Sequence, residues 1–462
     1  MRGEDRCQVP VEDLTATSLR MPLDLAYLGA SLIKEGVEVR IKDYPAEGGT
    51  RETFEQDLVS FPPQLLLVST TLFTLKEDLE ILKLARSRYP GIFTVIKGIT
   101  ASHWRRYLLK NYHCLDLILS GEYELTLPEL IKGKPLDKIA GISFRKNREI
   151  ILSKEEPLIE DLDSLPFPAR HLLRNELYVR PDTGEPMTTI QTGRGCPFSC
   201  IYCLASQVSG KRLRLRSPVN IVDEIEECVK VHRIKNFFFR ADTFTLQKRW
   251  AIEIAGEIER RNLMIHYAVN SRVDTLNEEL VRALKDSGCF LISLGVESGS
   301  SKSLNLMKKG ITLEQGEEAV LLLKKYGIKS YLFFMIGFPW EDRKDLEETV
   351  RFAMKLDGDF AEFHIPVPFE GTILREIMEK EGLIPEFLPP EKGGPLSSHG
   401  VPSCGTKFIK ATELKEIRRR AILRYYLRPR YIFRTLIKIR SLKELLNYVK
   451  YGSSRVMRLV FP

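Results

Sequence analysis

The chain has 462 residues, 43% of them apolar and 29% charged, with a net charge of +8 at pH 7. That balance is globular. It excludes disorder, collagen and coiled coil as overall descriptions, and at about 100–200 residues per domain the length allows two to four domains.

In chain order, residues 1–150 alternate helical and extended patterns. Positions 23–35, 76–87 and 125–131 have helical periodicity. Positions 37–42, 65–69, 93–96 and 115–119 read as strands, and 139–152 as a hairpin. The alternation predicts an α/β domain with a doubly wound, Rossmann-like parallel sheet, which binds ligands beyond its strand C-termini. Thr70, Thr71, Gly98, Thr100, Gly121 and Glu122 fall there. Residues 151–186 are richer in Pro and acid and read as a linker packing across the next domain. A second alternation runs from 187 to 400, with strands expected at 187–192, 236–239, 265–270, 290–295, 330–336 and 360–367 and helices between them. Six strand–helix units predict a partial (β/α)6 barrel, with its site at the strand C-termini. No run approaches the ~20 apolar residues of a membrane span. The N-terminus, MRGEDRCQVP, has no apolar leader core. The expectation is a soluble, cytoplasmic protein.

Three of the eight cysteines crowd into TGRGCPFSCIYC at 192–203, at the end of the first barrel strand: Cys196, Cys200 and Cys203, spaced C-x3-C-x2-C. A structural zinc site wants four ligands, usually as two separated pairs. No second pair and no nearby His is present. Three thiolates on one tight loop can hold three irons of a four-iron cluster and leave the fourth iron open.

The spacing, with Tyr202 at the aromatic position, resembles the radical S-adenosylmethionine (SAM) superfamily. The resemblance implies a 4Fe–4S cluster on Cys196, Cys200 and Cys203. In that family the amino and carboxylate groups of SAM chelate the open iron, and an electron from the reduced cluster cleaves SAM to a 5′-deoxyadenosyl radical. Further matches lie at successive strand ends: Asp242 in FRADTFT, Arg272 in NSRVD, Glu297 in LGVESG, and Gly337, Phe338 and Pro339 in IGFP. By resemblance, Asp242, Arg272 and Glu297 lie near the polar groups of SAM, and the Gly337 turn near adenine. Ala241 replaces the first acid of a pair the family usually carries.

The patterns PLDLAYLGASL at 22–32 and LSGEYELTLPEL at 119–130 resemble the cobalamin-binding domain that precedes many radical SAM domains. That resemblance makes Thr70, Thr71, Gly98, Thr100, Gly121 and Glu122 the cobalamin rim. No D-x-H-x-x-G is present, so no cobalt-ligating His is named. Lys97 stands where the family usually has Gly. Residues 1–20 contain no clear strand, so the domain is expected to lack its first one.

The helical tail, 401–462, has another composition. From Lys415 onward it carries 14 Lys or Arg and 2 Glu, with interleaved aromatics. Such a stretch can meet nucleic-acid phosphates, lie on an anionic membrane, or form a solvated helical face. The amphipathic mix suits a membrane surface better than a duplex groove, so nucleic acid is not the expected partner, and contact would be at the inner face of the membrane. Pro429 is expected to divide the tail into two helices.

The reading is a cobalamin-dependent radical SAM methyltransferase acting on a hydrophobic or lipid-like small molecule and fed by a low-potential electron donor. The alternatives are a radical SAM cyclase or oxidative enzyme without methyl transfer, a tRNA methylthiotransferase, or a non-enzymatic iron–sulfur or cobalamin sensor. The methylthiotransferase would carry three further cluster cysteines, and only Cys7 and Cys114 precede the barrel.

Overall fold

The computed structural model describes residues 19–147, 149–153, 157–384, 404–438 and 446. The first sheet has five strands in sequential order: β1 (Leu65–Ser69), β2 (Phe93–Lys97), β3 (Leu117–Leu119), β4 (Ile142–Lys146) and β5 (Glu149–Leu152). The first three run parallel, and β4 and β5 close the sheet as an antiparallel hairpin. Runs such as LLLV and LIL fit strands covered on both faces. Leu28 and Leu32 of helix Leu23–Lys34 cover one face, against Val95, Leu117 and Leu119. Leu75, Leu79 and Leu82 of helix Leu75–Arg88 cover the other, against Ile96 and Ile118.

The strand expected at 37–42 does not form. Val37, Val39 and Ile41 pack into the neighbouring cores by their side chains. The period-2 pattern is therefore satisfied by burial, without a pairing partner. The helix Arg51–Ser60, opened by a Thr50–Thr53 capping box, was not expected from the sequence. Any strand before residue 19 lies outside the described residues.

The connecting segment is a packed seam. Leu162, Leu165, Leu173 and Tyr178 share a core with Met21, Leu23, Ala26 and Tyr27. The Ala169 N–H donates to the Ala26 carbonyl at 2.9 Å, and the Tyr178 hydroxyl to Asp43 at 2.8 Å. Arg170, fully buried, donates to the Thr189 carbonyl at 2.8 Å and to Glu224 at 2.5 Å.

The second sheet holds six parallel strands: β6 (Met187–Gln191), β9 (Asn236–Arg240), β10 (His266–Arg272), β11 (Cys289–Glu297), β12 (Lys329–Met335) and β13 (Phe360–His364). Their order is β13-β12-β11-β10-β9-β6. A short ribbon, β7 (Gly193–Arg194) with β8 (Arg214–Leu215), stands beside β6. Among the described residues β6 and β13 do not pair, so the barrel is open. Residues 332 and 334 of β12 and 361 and 363 of β13 face the outer helices. Tyr331, Phe333, Met335 and His364 are half-buried, and strand alternation puts them on the opposite, inner face.

The tail divides at Pro429 into helices Ala411–Tyr426 and Pro429–Lys438. It is not the free basic face that its charge suggested. β13 is an edge strand, and an edge leaves unpaired backbone groups. Arg418, buried, donates from Nε to the Phe363 carbonyl at 2.7 Å. The Tyr426 hydroxyl donates to the Ala361 carbonyl at 2.7 Å and accepts its N–H at 3.0 Å. Arg428 and Arg434 pair with Asp357. Charge and aromatic rings together seal the edge. Ile432, Phe433, Leu436 and Ile437 on the second helix stay exposed. Most of the tail beyond 438 lies outside the described residues.

Candidate functional site

The cysteine loop leaves the barrel between β7 and β8 and is anchored at each step. Gly195 has φ +99°, and a Cβ there would lie 2.0 Å from the Arg212 carbonyl oxygen, so the ribbon closes only over glycine. The Gly195 N–H donates to Asp242 Oδ2 at 3.0 Å, and the Cys196 N–H to the Gly210 carbonyl at 3.0 Å. Farther along, the Ile201 N–H donates to the Met307 carbonyl at 3.1 Å, and the Ile201 carbonyl accepts the Leu374 N–H at 3.0 Å.

Cys196, Cys200 and Cys203 are half-buried and in no disulfide, and Cys203 Sγ accepts the Ala205 N–H at 3.4 Å; Cys114, Cys228, Cys289 and Cys404 are buried. Burial pushes the Cys228 and Cys289 thiols up to about 12, which keeps them protonated in the core. Burial also raises Cys196, and the Asp242 carboxylate adds to it. Among the described residues no three His, Cys, Asp or Glu side chains are gathered around one ion position. Three thiols on one loop are a donor set that fits a four-iron cluster with each thiolate on a different iron.

The expected strand-end residues ring this loop. Arg272, at the end of β10, holds Asp274 through two bonds of 2.9 Å, donates to the Lys309 carbonyl at 2.8 Å, and lies 3.7 Å over the Phe198 ring. Its contact with the cysteine loop is thus through Phe198. Glu297 ends β11 with φ +68° and takes Lys309 Nζ at 2.7 Å. It is also hydrogen-bonded to Tyr202, whose phenol is held well above its usual range by burial first and then by the Glu297 charge. The Tyr202 ring meets Phe338 edge-on at 5.7 Å, and Phe338 stacks on Trp340 at 5.1 Å. Gly337 has φ +105°, and a Cβ there would lie 2.4 Å from the Leu414 side chain of the tail helix. The Pro339 carbonyl accepts the Lys407 N–H at 3.1 Å.

Sequence reasoning missed Glu341. Fully buried, it accepts the Gly337 and Phe338 N–H groups on Oε2 at 2.8 and 3.0 Å and the Ser303 hydroxyl on Oε1 at 2.8 Å. Burial pushes its carboxyl up to about 7, against the pull of these three donors. The available signal was an acid four residues past a glycine turn and just before the helix Arg343–Leu356. Phe198 and Lys309 were also missed, because neither type is distinctive alone.

At the rim of the first sheet, Gly98 has φ +130°, and a Cβ there would meet the Thr70 carbonyl oxygen at 2.3 Å. The Thr71 N–H donates to Thr74 Oγ1 at 2.9 Å, and the Phe73 N–H to Thr71 Oγ1 at 3.3 Å. Thr70, Thr71 and Gly98 therefore form one compact shelf at the ends of β1 and β2, and Thr100 lies in the helix Ile99–His103 that follows β2. Gly121 turns with φ +73° after β3. Lys97 is buried and bonded to Asp24 and Tyr123. Glu122 differs from its neighbours: its carboxylate receives Arg214 at 2.6 and 2.7 Å and the Ile159 N–H at 2.6 Å, so it is turned toward the barrel. Ser120 Oγ and Glu124 Oε2 are buried with no hydrogen-bond partner. Unpartnered buried acceptors beside a glycine-lined shelf fit a large cofactor with amide arms, as a corrinoid has.

Residues 190–353 match the radical SAM superfamily. Over 421 residues the chain is 33% identical to an uncharacterized methyltransferase of Pyrococcus horikoshii, covering 90% of each chain. Over 365 residues it is 28% identical to the anaerobic magnesium-protoporphyrin IX monomethyl ester cyclase of Cereibacter sphaeroides, covering 76% of this chain and 59% of that one. The structure of the radical S-adenosylmethionine methyltransferase TsrM from Kitasatospora setae, with cobalamin and a 4Fe–4S cluster bound, superposes with a TM-score of 0.67. It covers 80% of this chain and 74% of that one at 21% identity, which is a likeness of fold. Identity of one third along nine-tenths of the chain, over a barrel whose rim carries the cysteine loop, makes this protein a member of the radical SAM superfamily.

Proposed function

We propose that this protein is a cobalamin-dependent radical SAM methyltransferase that methylates carbon in a hydrophobic small molecule. The observation that carries it is the set of three half-buried thiols, none in a disulfide, on one anchored loop at the barrel rim. When bound, a 4Fe–4S cluster supplies the electron that splits SAM to a 5′-deoxyadenosyl radical, and cobalamin supplies the methyl carrier. Cys196, Cys200 and Cys203 hold the cluster. Tyr202, Asp242, Arg272, Glu297 and the Gly337–Phe338–Pro339 turn surround SAM. Thr70, Thr71, Gly98, Thr100 and Gly121 line the corrinoid shelf, and Glu122 braces it from behind. In this reading residues 1–150 bind cobalamin, 151–186 connect, 187–400 form the barrel and 401–462 the tail.

The inner barrel face supports an apolar substrate. The Tyr331 and Phe333 rings lie 4.8 Å apart, and Phe333 meets His364 at 5.6 Å. Such a half-buried aromatic wall offers apolar contact area, with the Tyr331 hydroxyl turned to Glu362 at 3.0 Å. The methyltransferase and cyclase relatives both fit this barrel, and the cyclase favours a second reading, ring formation without methyl transfer. A low-potential donor delivers the electron in either case. The exposed Ile432, Phe433, Leu436 and Ile437 beside Arg430 support contact with an anionic membrane at its inner face. No helix among the described residues is long and apolar enough to cross a membrane.

Anaerobic reconstitution tests the reading through iron and sulfide per chain, corrinoid absorbance, and products after reduction. 5′-Deoxyadenosine together with S-adenosylhomocysteine supports methylation. Deoxyadenosine alone supports the cyclase reading. Neither product, with no iron–sulfur spectrum, overturns both.

A further inference from the structure

Arg194 stands two residues before Cys196, on β7, and its side chain reaches the first domain. Its guanidinium donates to Glu124 Oε1 at 2.6 Å, lies 3.4 Å from Glu122 Oε2, and sits 5.9 Å over the Tyr27 ring. Glu122 and Glu124 both belong to the turn that follows β3. Arg214, on the paired strand β8, grips Glu122 from the other side at 2.6 and 2.7 Å. One arginine from each strand at the base of the cysteine loop thus converges on a single turn of the other domain.

Arg214, Glu122 and Glu124 are buried, and the Arg194 side chain is 11% exposed. Burial alone would raise the Glu124 carboxyl, but the Arg194 guanidinium beside it holds it below its usual range, so the pair is charged. Buried ion pairs contribute little net stability relative to apolar packing of the same volume. Here two guanidinium groups and two carboxylates hold one another across the two domains. Arg194 lies between Gly193 and Gly195, so neither neighbour carries a side chain to hold the strand.

We infer that Arg194, held by Glu122 and Glu124, is a positioning residue that aims Cys196 from the first domain. The inference rests on the reading of Cys196 as a cluster ligand. The cluster's setting toward SAM then depends on two carboxylates about 70 residues away in sequence, in the turn that also carries the unpartnered Glu124 Oε2. Lys in place of Arg keeps the charge but loses the planar fork that spans both acids.

The test uses full-length wild type, Arg194→Lys, Glu124→Gln and, as a control, Glu257→Gln, which removes one partner of a helical pair with Arg260 and Arg261. After anaerobic reconstitution, iron per chain, the unfolding midpoint and the electron paramagnetic resonance spectrum of the reduced cluster are measured, with and without SAM. Arg194→Lys, which keeps the buried charge, is expected to keep iron and midpoint, to show an altered SAM-dependent spectrum, and to form 5′-deoxyadenosine about 10- to 100-fold more slowly, the scale of an ~1 Å misplacement. Glu124→Gln should show the same spectral change with iron retained and a lowered midpoint, because it strands the buried guanidinium. Glu257→Gln should match wild type. A SAM-dependent spectrum identical to wild type in both variants overturns the inference, as does loss of iron that only accompanies a lowered midpoint. If Glu124→Gln does not fold, Arg194→Lys decides. A wild type without an iron–sulfur spectrum sinks the radical SAM reading itself, a separate failure.

Discussion

Asp242 Oδ2 accepts the backbone N–H of Gly195 at 3.0 Å, so the loop after β9 fixes the residue immediately before the first cysteine. A bond to a charged acceptor contributes roughly 1.5–3 kcal/mol. Asp242→Ala is expected to release the base of the loop and lower the iron held per chain. Asp242→Asn, which keeps an oxygen in place, should retain most of it. Equal iron content in the alanine variant would refute the strut.

Glycine substitutions separate strain from propensity. Gly195→Ala places a Cβ 2.0 Å from the Arg212 carbonyl oxygen in a left-handed backbone, and carbonyls do not yield as side chains do. A loss of about 1–3 kcal/mol is expected, with a poorly closing loop. Gly256, inside helix Lys248–Arg260, has nothing within 4 Å of a built Cβ. Gly256→Ala should stabilise the chain by up to about 1 kcal/mol. Denaturant midpoints of the two variants should move in opposite directions.

Alanine at Cys196, Cys200 or Cys203 should abolish the iron–sulfur absorbance of anaerobically reconstituted protein. Cys228→Ala and Cys289→Ala should preserve it and cost only about 1 kcal/mol each, because those thiols fill core positions. A cluster spectrum undiminished in the triple variant would leave the loop without its assigned role.

Glu341 predicts a pH dependence. Its folded pKa of about 7 lies above the ordinary 4.5, so the folded state disfavours its ionised form. Its stabilising contribution is full below about pH 4.5 and falls as pH rises toward 7, by on the order of 3 kcal/mol. Glu341→Gln, which keeps a carbonyl for the Gly337 and Phe338 N–H groups, should flatten that slope in the cluster-free chain. Chemical unfolding at several pH values checks this, and an unchanged slope would mean another group carries it.

On helix Pro429–Lys438, Phe433 is 68% and Ile437 66% exposed. Phe433→Asp with Ile437→Asp should leave the unfolding midpoint unchanged and abolish flotation with anionic liposomes. Flotation equal to wild type would remove the membrane from the account. The sequence could not separate this exposed face from the buried one. Arg418 and Tyr426 have the same composition signature as Arg430 and Phe433, yet the first two seal β13 and the last two face solvent. A charge count registers both alike, since the difference is made by the neighbouring strand.

The two alternations of strand and helix were legible because apolar period and turn residues are local properties. Six barrel strands fall within a few residues of their expected positions. The extended segment at 37–42 failed because alternation reports burial on one face and says nothing about a pairing partner.

By itself the sequence determined the cysteine loop: three thiols within eight residues must share one loop whatever surrounds them, so their spacing is already their chemistry. Only the tertiary structure decided what orients that loop. Arg194 with Glu124, Glu341 with Ser303, and Arg272 with Phe198 meet through sheet order, register and domain packing. Long-range contacts of that kind have no local signature, because each side chain is an ordinary surface type until the fold buries it against its partner.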